Sequence, residues 1–134
     1  MAKQFTFGKQ ERLKSRKQTD ELFREGKRFT IPPFRIHYSF SQIKNTALQP
    51  GPLFGAAVSS RAFKKAVDRN RVKRLMREAY RLQKGALQEQ LKTQDCRLHV
   101  FFIYTGKQLP GYTEVYEATG KVLDKLYKLV PAIP

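Results

Sequence analysis

The chain has 134 residues, one domain's worth, with 27 Lys and Arg against 11 Asp and Glu and a formal net charge of +16. Hydrophobic residues make up 40% and aromatics 12%, too much apolar material for a disordered basic tail, so a folded core is expected under a self-repelling positive surface that a polyanion would neutralise. The longest uncharged apolar run, Leu98 to Tyr104, is far short of the roughly 20 residues of a membrane span. Met1 to Phe7 shows no apolar signal-peptide core, and the single Cys96 cannot form an internal disulfide.

A first helix is expected over Ser15 to Glu25, with Ser15 and Gln18 as a capping box, Gly26 in the left-handed position past its end, and Leu22 and Phe23 as its apolar edge. Arg28 to Thr30 reads as a short strand before the Pro32-Pro33 break. Phe34 to Phe40 alternates strictly. Phe34, Ile36, Tyr38 and Phe40 share one face, and Arg35, His37 and Ser39 the outward one, the pattern of a half-buried strand. Ile43 to Pro52 reads as a loop and Leu53 to Ser59 as a strand, in which Gly55 and two alanines permit close approach of another group.

The middle helix is expected to begin at Asp68 as its cap and to run to Lys84. Val72, Leu75, Met76, Ala79 and Leu82 form its apolar stripe, and Asn70, Lys73, Arg74, Arg77, Arg81 and Lys84 lie opposite. Glu78 can pair with Arg74 or Arg81. Arg97 to Tyr104 is an apolar strand of central type. Thr113 is expected to cap a last helix with Val115, Ala118, Val122, Leu126 and Leu129 as its stripe. The whole reads as a single domain, 1–134, with residues 1–10 as a flexible extension and 129–134 as a tail.

The charge is unevenly placed. Residues 61–84 hold ten basic and two acidic groups, net +8, half the surplus, and residues 1–28 hold nine and four, net +5. Like charges on one helix face cost a few tenths of a kcal/mol per i,i+4 pair, so the strip weakens its own helix unless a polyanion offsets it. Arginine grips phosphate bidentately and stacks on bases. A helix of almost nothing but Arg and Lys suits positioning on phosphates better than reading base edges.

These residues resemble the signature of the bacterial ribonuclease P protein subunit. The core of the likeness is Arg69-Asn70-Arg71-Val72-Lys73-Arg74-Leu75-Met76-Arg77-Glu78, preceded by Val58-Ser59-Ser60-Arg61 and Lys64-Lys65-Ala66-Val67. Arg12-Leu13-Lys14, Leu22-Phe23 with Gly26, and Gly55 extend it over roughly residues 10–128. The resemblance implies an α+β fold, a two-layer domain in the order α-β-β-β-α-β-α with a four-stranded sheet and a left-handed βαβ crossover. It implies a surface for the catalytic RNA, carried here by Arg61, Lys64, Lys65, Arg69, Asn70, Arg71, Lys73, Arg74, Arg77 and Arg81. It also implies a cleft for the 5′ leader of precursor tRNA, carried by Thr19, Phe23, Arg35, His37 and Ala57. Thr19 stands where many relatives have a second aromatic, His37 where many have Tyr, and Ser60-Arg61 where a lysine pair is usual.

No catalytic constellation stands out in the protein itself. The acids are scattered, His99 reads as a packed histidine and Cys96 as a small core residue, and no Gly-rich phosphate loop or zinc-ligand spacing is present. The resemblance implies hydrolysis by the RNA with Mg²⁺ that the RNA mainly binds, no organic cofactor, no membrane, no obligate protein partner and a bacterial cytoplasmic setting. The rival readings are a ribosomal or other structural RNA-binding protein without processing activity, a DNA-binding module, and a membrane-surface protein.

Overall fold

The computed structural model describes residues 12–13, 16–43 and 50–131. In chain order the elements are α1 (Arg16–Glu25), β1 (Lys27–Ile31), β2 (Phe34–Gln42), β3 (Gly51–Val58), α2 (Ala66–Gln83), α3 (Gly85–Thr93), β4 (Cys96–Tyr104) and α4 (Tyr112–Leu129). The strands form one mixed sheet in the order β1-β2-β4-β3. β1 and β4 each pair antiparallel with β2, and β3 pairs parallel with β4. The order matches that implied by the resemblance except for one additional helix, α3, in the crossover. The capping role expected of Ser15, the extension at 1–10 and part of the loop before β3 lie outside the described residues.

The strict alternation of β2 gives the sheet two different faces. Phe34, Ile36 and Tyr38 are buried on one of them, beside Leu98, Val100 and Phe102 of β4. The helices α2, α3 and α4 cover this face, inserting Val72, Met76, Leu87, Leu91, Val122 and Leu126. Each such side chain contributes about 1.5–3 kcal/mol when removed from water. On the opposite face α1 is the one helix among the described residues, held by Leu22 and by Leu13 against Leu53 and Phe101. Leu13 is tied to the sheet edge by its amide, which donates to Phe54 O at 2.9 Å.

Several details differ from expectation for identifiable reasons. α2 starts at Ala66 with Lys65 as its cap, so Asp68 lies inside the first turn; α4 starts at Tyr112 with Gly111 as its cap, so Thr113 lies inside it too, and neither cap uses a side-chain hydrogen bond. Tyr80, not Leu82, completes the buried stripe of α2, because its ring stacks on Phe54 with centroids 4.1 Å apart; Leu82 is exposed. Leu129 is also exposed, at the end of α4. Lys84 leaves the solvent strip and is buried where the chain turns from α2 into α3, its carbonyl accepting from Gln88 N at 2.9 Å. Gly26 is not left-handed; a Cβ there would stand 2.5 Å from Leu22 O and 3.0 Å from Tyr38 O, so glycine is required for the close approach of α1 to β2. Cys96 is buried at the start of β4, and burial pushes its thiol up, as befits a core residue.

Candidate nucleic-acid interface

Two surfaces collect the residues singled out by sequence. The first is built on α2, whose buried stripe against the sheet leaves the other side of the helix to solvent. Asn70, Arg74, Arg77 and Arg81 recur at helical spacing and line one open groove of about 470 Å³ together with Glu78 and Arg12. Asn70, Arg74 and Arg77 are exposed. Glu78 pairs with Arg81, one helical turn on, which leaves Arg74 outside that ion pair. Arg12 is the residue this pattern misses when read as one helix: it reaches the groove from the segment bridged to Phe54 on the β3 edge. Its only sequence signal is its place in the Arg12-Leu13-Lys14 match.

The loop from β3 into α2 carries Arg61, Lys64 and Lys65, all exposed. It is held in shape by Ser59, whose hydroxyl accepts from Arg61 N at 3.1 Å and whose carbonyl accepts from Phe63 N at 3.2 Å. The buried Phe63 ring anchors it, 6.0 Å from Tyr104. Arg69, expected to face RNA, also closes the arrangement: its Nη1 donates to Phe63 O and to Lys64 O, each at 2.8 Å. Through this one nitrogen Arg69 ties α2 to the loop that bears the three cations before it. Arg71 is exposed and Lys73 half-buried, and both flank the groove without lining it.

The second surface lies where α1 crosses the sheet. Phe23 is 44% exposed, its ring 4.7 Å from His37 and edge-on to Phe101 at 5.2 Å. Strand register places His37, Phe101 and Gly55 in one row across β2, β4 and β3, and Arg35, Ile103 and Ala57 in the next row on the same face. Thr19 stands one helical turn before Phe23 and is half-buried. Phe23 and His37 are therefore in contact, and Arg35 and Ala57 lie one row away. His37 departs from its expected outward exposure: only 8% of it is accessible, because α1 lies over it. Phe23 is the exposed ring of this pair, with His37 beneath as its support. Gly55 allows this closeness, since a Cβ there would stand 2.6 Å from the Phe101 ring.

Burial first, then the positive charges of Arg28 and Arg35, hold the His37 pKa below its ordinary value. His99 is lowered too, chiefly by burial and then by Arg97, with Glu21 opposing. Both shifts favour the neutral imidazole in the folded state. A depressed histidine pKa contributes stability that is present above the unfolded value and lost as pH falls through the lower folded one. The melting temperature is expected to hold from about pH 8 to 7 and to decline as pH drops below about 6.5. His37→Gln should make that decline shallower; calorimetric scans across the interval check it, and an identical decline in the variant would deny His37 its share.

The family model described as Ribonuclease P matches residues 7–127, spanning both surfaces. The chain belongs to the ribonuclease P family. It is 36% identical over 129 residues to the ribonuclease P protein component of Porphyromonas gingivalis, covering 95% of this chain and 92% of that one. In fold it is similar to the RNase P protein from Thermotoga maritima, with a TM-score of 0.66, 22% identity and coverage of 86% of this chain and 96% of that one. The Staphylococcus aureus RNase P protein gives a TM-score of 0.63 at 17% identity, covering 86% and 94% respectively. Ribonuclease P membership disfavours the reading as a structural RNA-binding protein without processing activity. No described helix is long and apolar enough to cross a membrane.

Proposed function

We propose that this chain is the protein subunit of a ribonuclease P ribonucleoprotein, binding the catalytic RNA through the α2 groove and the β3–α2 loop, and the 5′ leader of precursor tRNA through the Phe23 surface. The observation that carries the reading is the division of the basic and aromatic residues between two surfaces. One has closely placed guanidiniums suited to the phosphates of a folded RNA. The other has an exposed aromatic ring with Arg35 one row away on the same sheet face, suited to a flexible single strand.

In this reading the protein orients and the RNA reacts. Among the described residues no group of three or more His, Cys, Asp and Glu side chains is placed to hold a metal ion. Glu78 is engaged by Arg81 and Asp124 by Lys128 at 3.3 Å. These residues do not fit a protein-held catalytic metal, and Mg²⁺ is assigned to the RNA partner, where it would assist hydrolysis that yields the mature tRNA 5′ end. The protein's share is electrostatic: it offsets phosphate repulsion in the assembly and lowers the concentration of Mg²⁺ needed for it. The setting of this reaction is the bacterial cytoplasm.

Mixing the purified chain with the catalytic RNA of its own cell and a 5′-extended precursor tRNA is expected to restore leader removal at low Mg²⁺, where the RNA alone is slow. No stimulation by the protein under those conditions would overturn the proposal.

A further inference from the structure

Among the described exposed aromatic side chains outside both surfaces, two lie against each other. Tyr112 and Tyr116 stand one helical turn apart at the start of α4, 40% and 38% exposed, with ring centroids 5.7 Å apart and planes inclined at 41°. The buried side of this helix is supplied by Val115, Ala118 and Thr119, so the tyrosines are not needed for the core. Their position is fixed from α2: Gln83 Nε2 donates both to Ala79 O at 3.1 Å and to Tyr116 O at 2.9 Å, joining the last turn of α2 to the first turns of α4. This link sets the start of α4, and with it the tyrosine pair, beside the last turns of α2, the end of the helix that carries Arg81.

We propose that Tyr112 and Tyr116 form a stacking platform for an unpaired nucleotide of the bound RNA, whose neighbouring phosphates lie on Arg74 and Arg77. The inference rests on the reading of the groove as the catalytic-RNA surface and adds to it a preference for RNA structure. Guanidiniums alone hold any phosphate backbone, paired or not. An aromatic face needs a base face, and in an A-form helix the base faces are stacked on one another. The combination selects a bulge or loop nucleotide over an uninterrupted duplex, without choosing among bases.

The test uses the intact protein with two probes, a blunt RNA duplex and the same duplex carrying a single unpaired adenosine. The wild-type protein is expected to prefer the bulged duplex. The variant Tyr112→Ala with Tyr116→Ala should bind it about tenfold more weakly, within the range for stacking on one base, while its affinity for the blunt duplex is unchanged. Phenylalanine at both positions should restore the preference. Because the chain contains no tryptophan, Tyr112→Trp supplies a local fluorophore, which the bulged duplex should quench and the blunt one should not. An unaltered bulge preference in the alanine variant, or equal quenching by both probes, would overturn the platform. Arg74→Ala with Arg77→Ala should weaken both probes alike; if it weakens neither, the groove reading itself fails, and that result is distinct from the loss of bulge preference.

Discussion

Replacing Arg74 and Arg77 by alanine is expected to weaken association with the catalytic RNA by about tenfold per residue, the loss of a charge-assisted hydrogen bond of about 1.5 kcal/mol. The logarithmic dependence of affinity on salt should flatten by about 0.9 for each phosphate contact removed from duplex RNA, or about 0.7 from single strands. Both side chains are exposed and project into the groove, so their removal leaves the core untouched and the urea midpoint should stay in place. Arg69→Ala is the informative contrast within the same motif. Its guanidinium holds Phe63 O and Lys64 O, so stability should fall by about 1.5 kcal/mol. Its effect on RNA affinity should come through the displaced loop cations. Titrations at three or more salt concentrations, beside urea unfolding of each variant, separate the two kinds of arginine. Equal salt slopes for Arg74→Ala and the parent would remove Arg74 from the interface.

The second large effect is expected at Gly55, where sheet and cleft meet. An alanine Cβ would stand 2.6 Å from Cδ2 and Cε2 of Phe101, and that ring is packed edge-on against Phe23. The ring cannot give way without displacing Phe23, so Gly55→Ala should cost about 1–3 kcal/mol in urea unfolding, as overpacking does. It should also bring the affinity ratio of 5′-extended to leaderless tRNA toward one, because the exposed Phe23 ring moves with its support. Gly85→Ala provides the control. A Cβ there meets nothing within 4 Å and the backbone is not left-handed, so that change should be neutral or stabilising by up to about 1 kcal/mol. A Gly55→Ala protein as stable as the parent would show that Phe101 has room to move.

How much of this could be read from the residues follows from where each signal lies. β2 is legible because its side chains meet two different environments, so Phe34, Ile36 and Tyr38 alternate with Arg35 and Ser39. The α2 groove is legible because Asn70, Arg74, Arg77 and Arg81 repeat on one helix and a single period describes them. α3 is not, since Leu87 and Leu91 are its only buried residues and Gly85 opens it. Tyr80 escapes because its polar hydroxyl disguises a ring that stacks fully buried on Phe54. The concealment of His37 and the loop contacts of Arg69 depend on partners distant in the chain or in a loop of no regular period. Neither has a local pattern that would announce it. Arg12 likewise joins the groove only through the sheet.

The attachment of α1 has a kinetic consequence. Among the described residues its hold on the sheet is the small cluster of Leu13, Leu22 and Leu53 with Phe101, together with the Phe23 ring on His37 and Phe101, separate from the main core beneath α2, α3 and α4. Lifting it away uncovers little apolar area compared with opening the other layer, so its amides should exchange with deuterium through local opening well before the rest of the molecule unfolds. A cleft with one loosely docked wall has an adjustable aperture. Under the proposed function, leaders of different base composition would thread past Phe23 without a separate pocket for each.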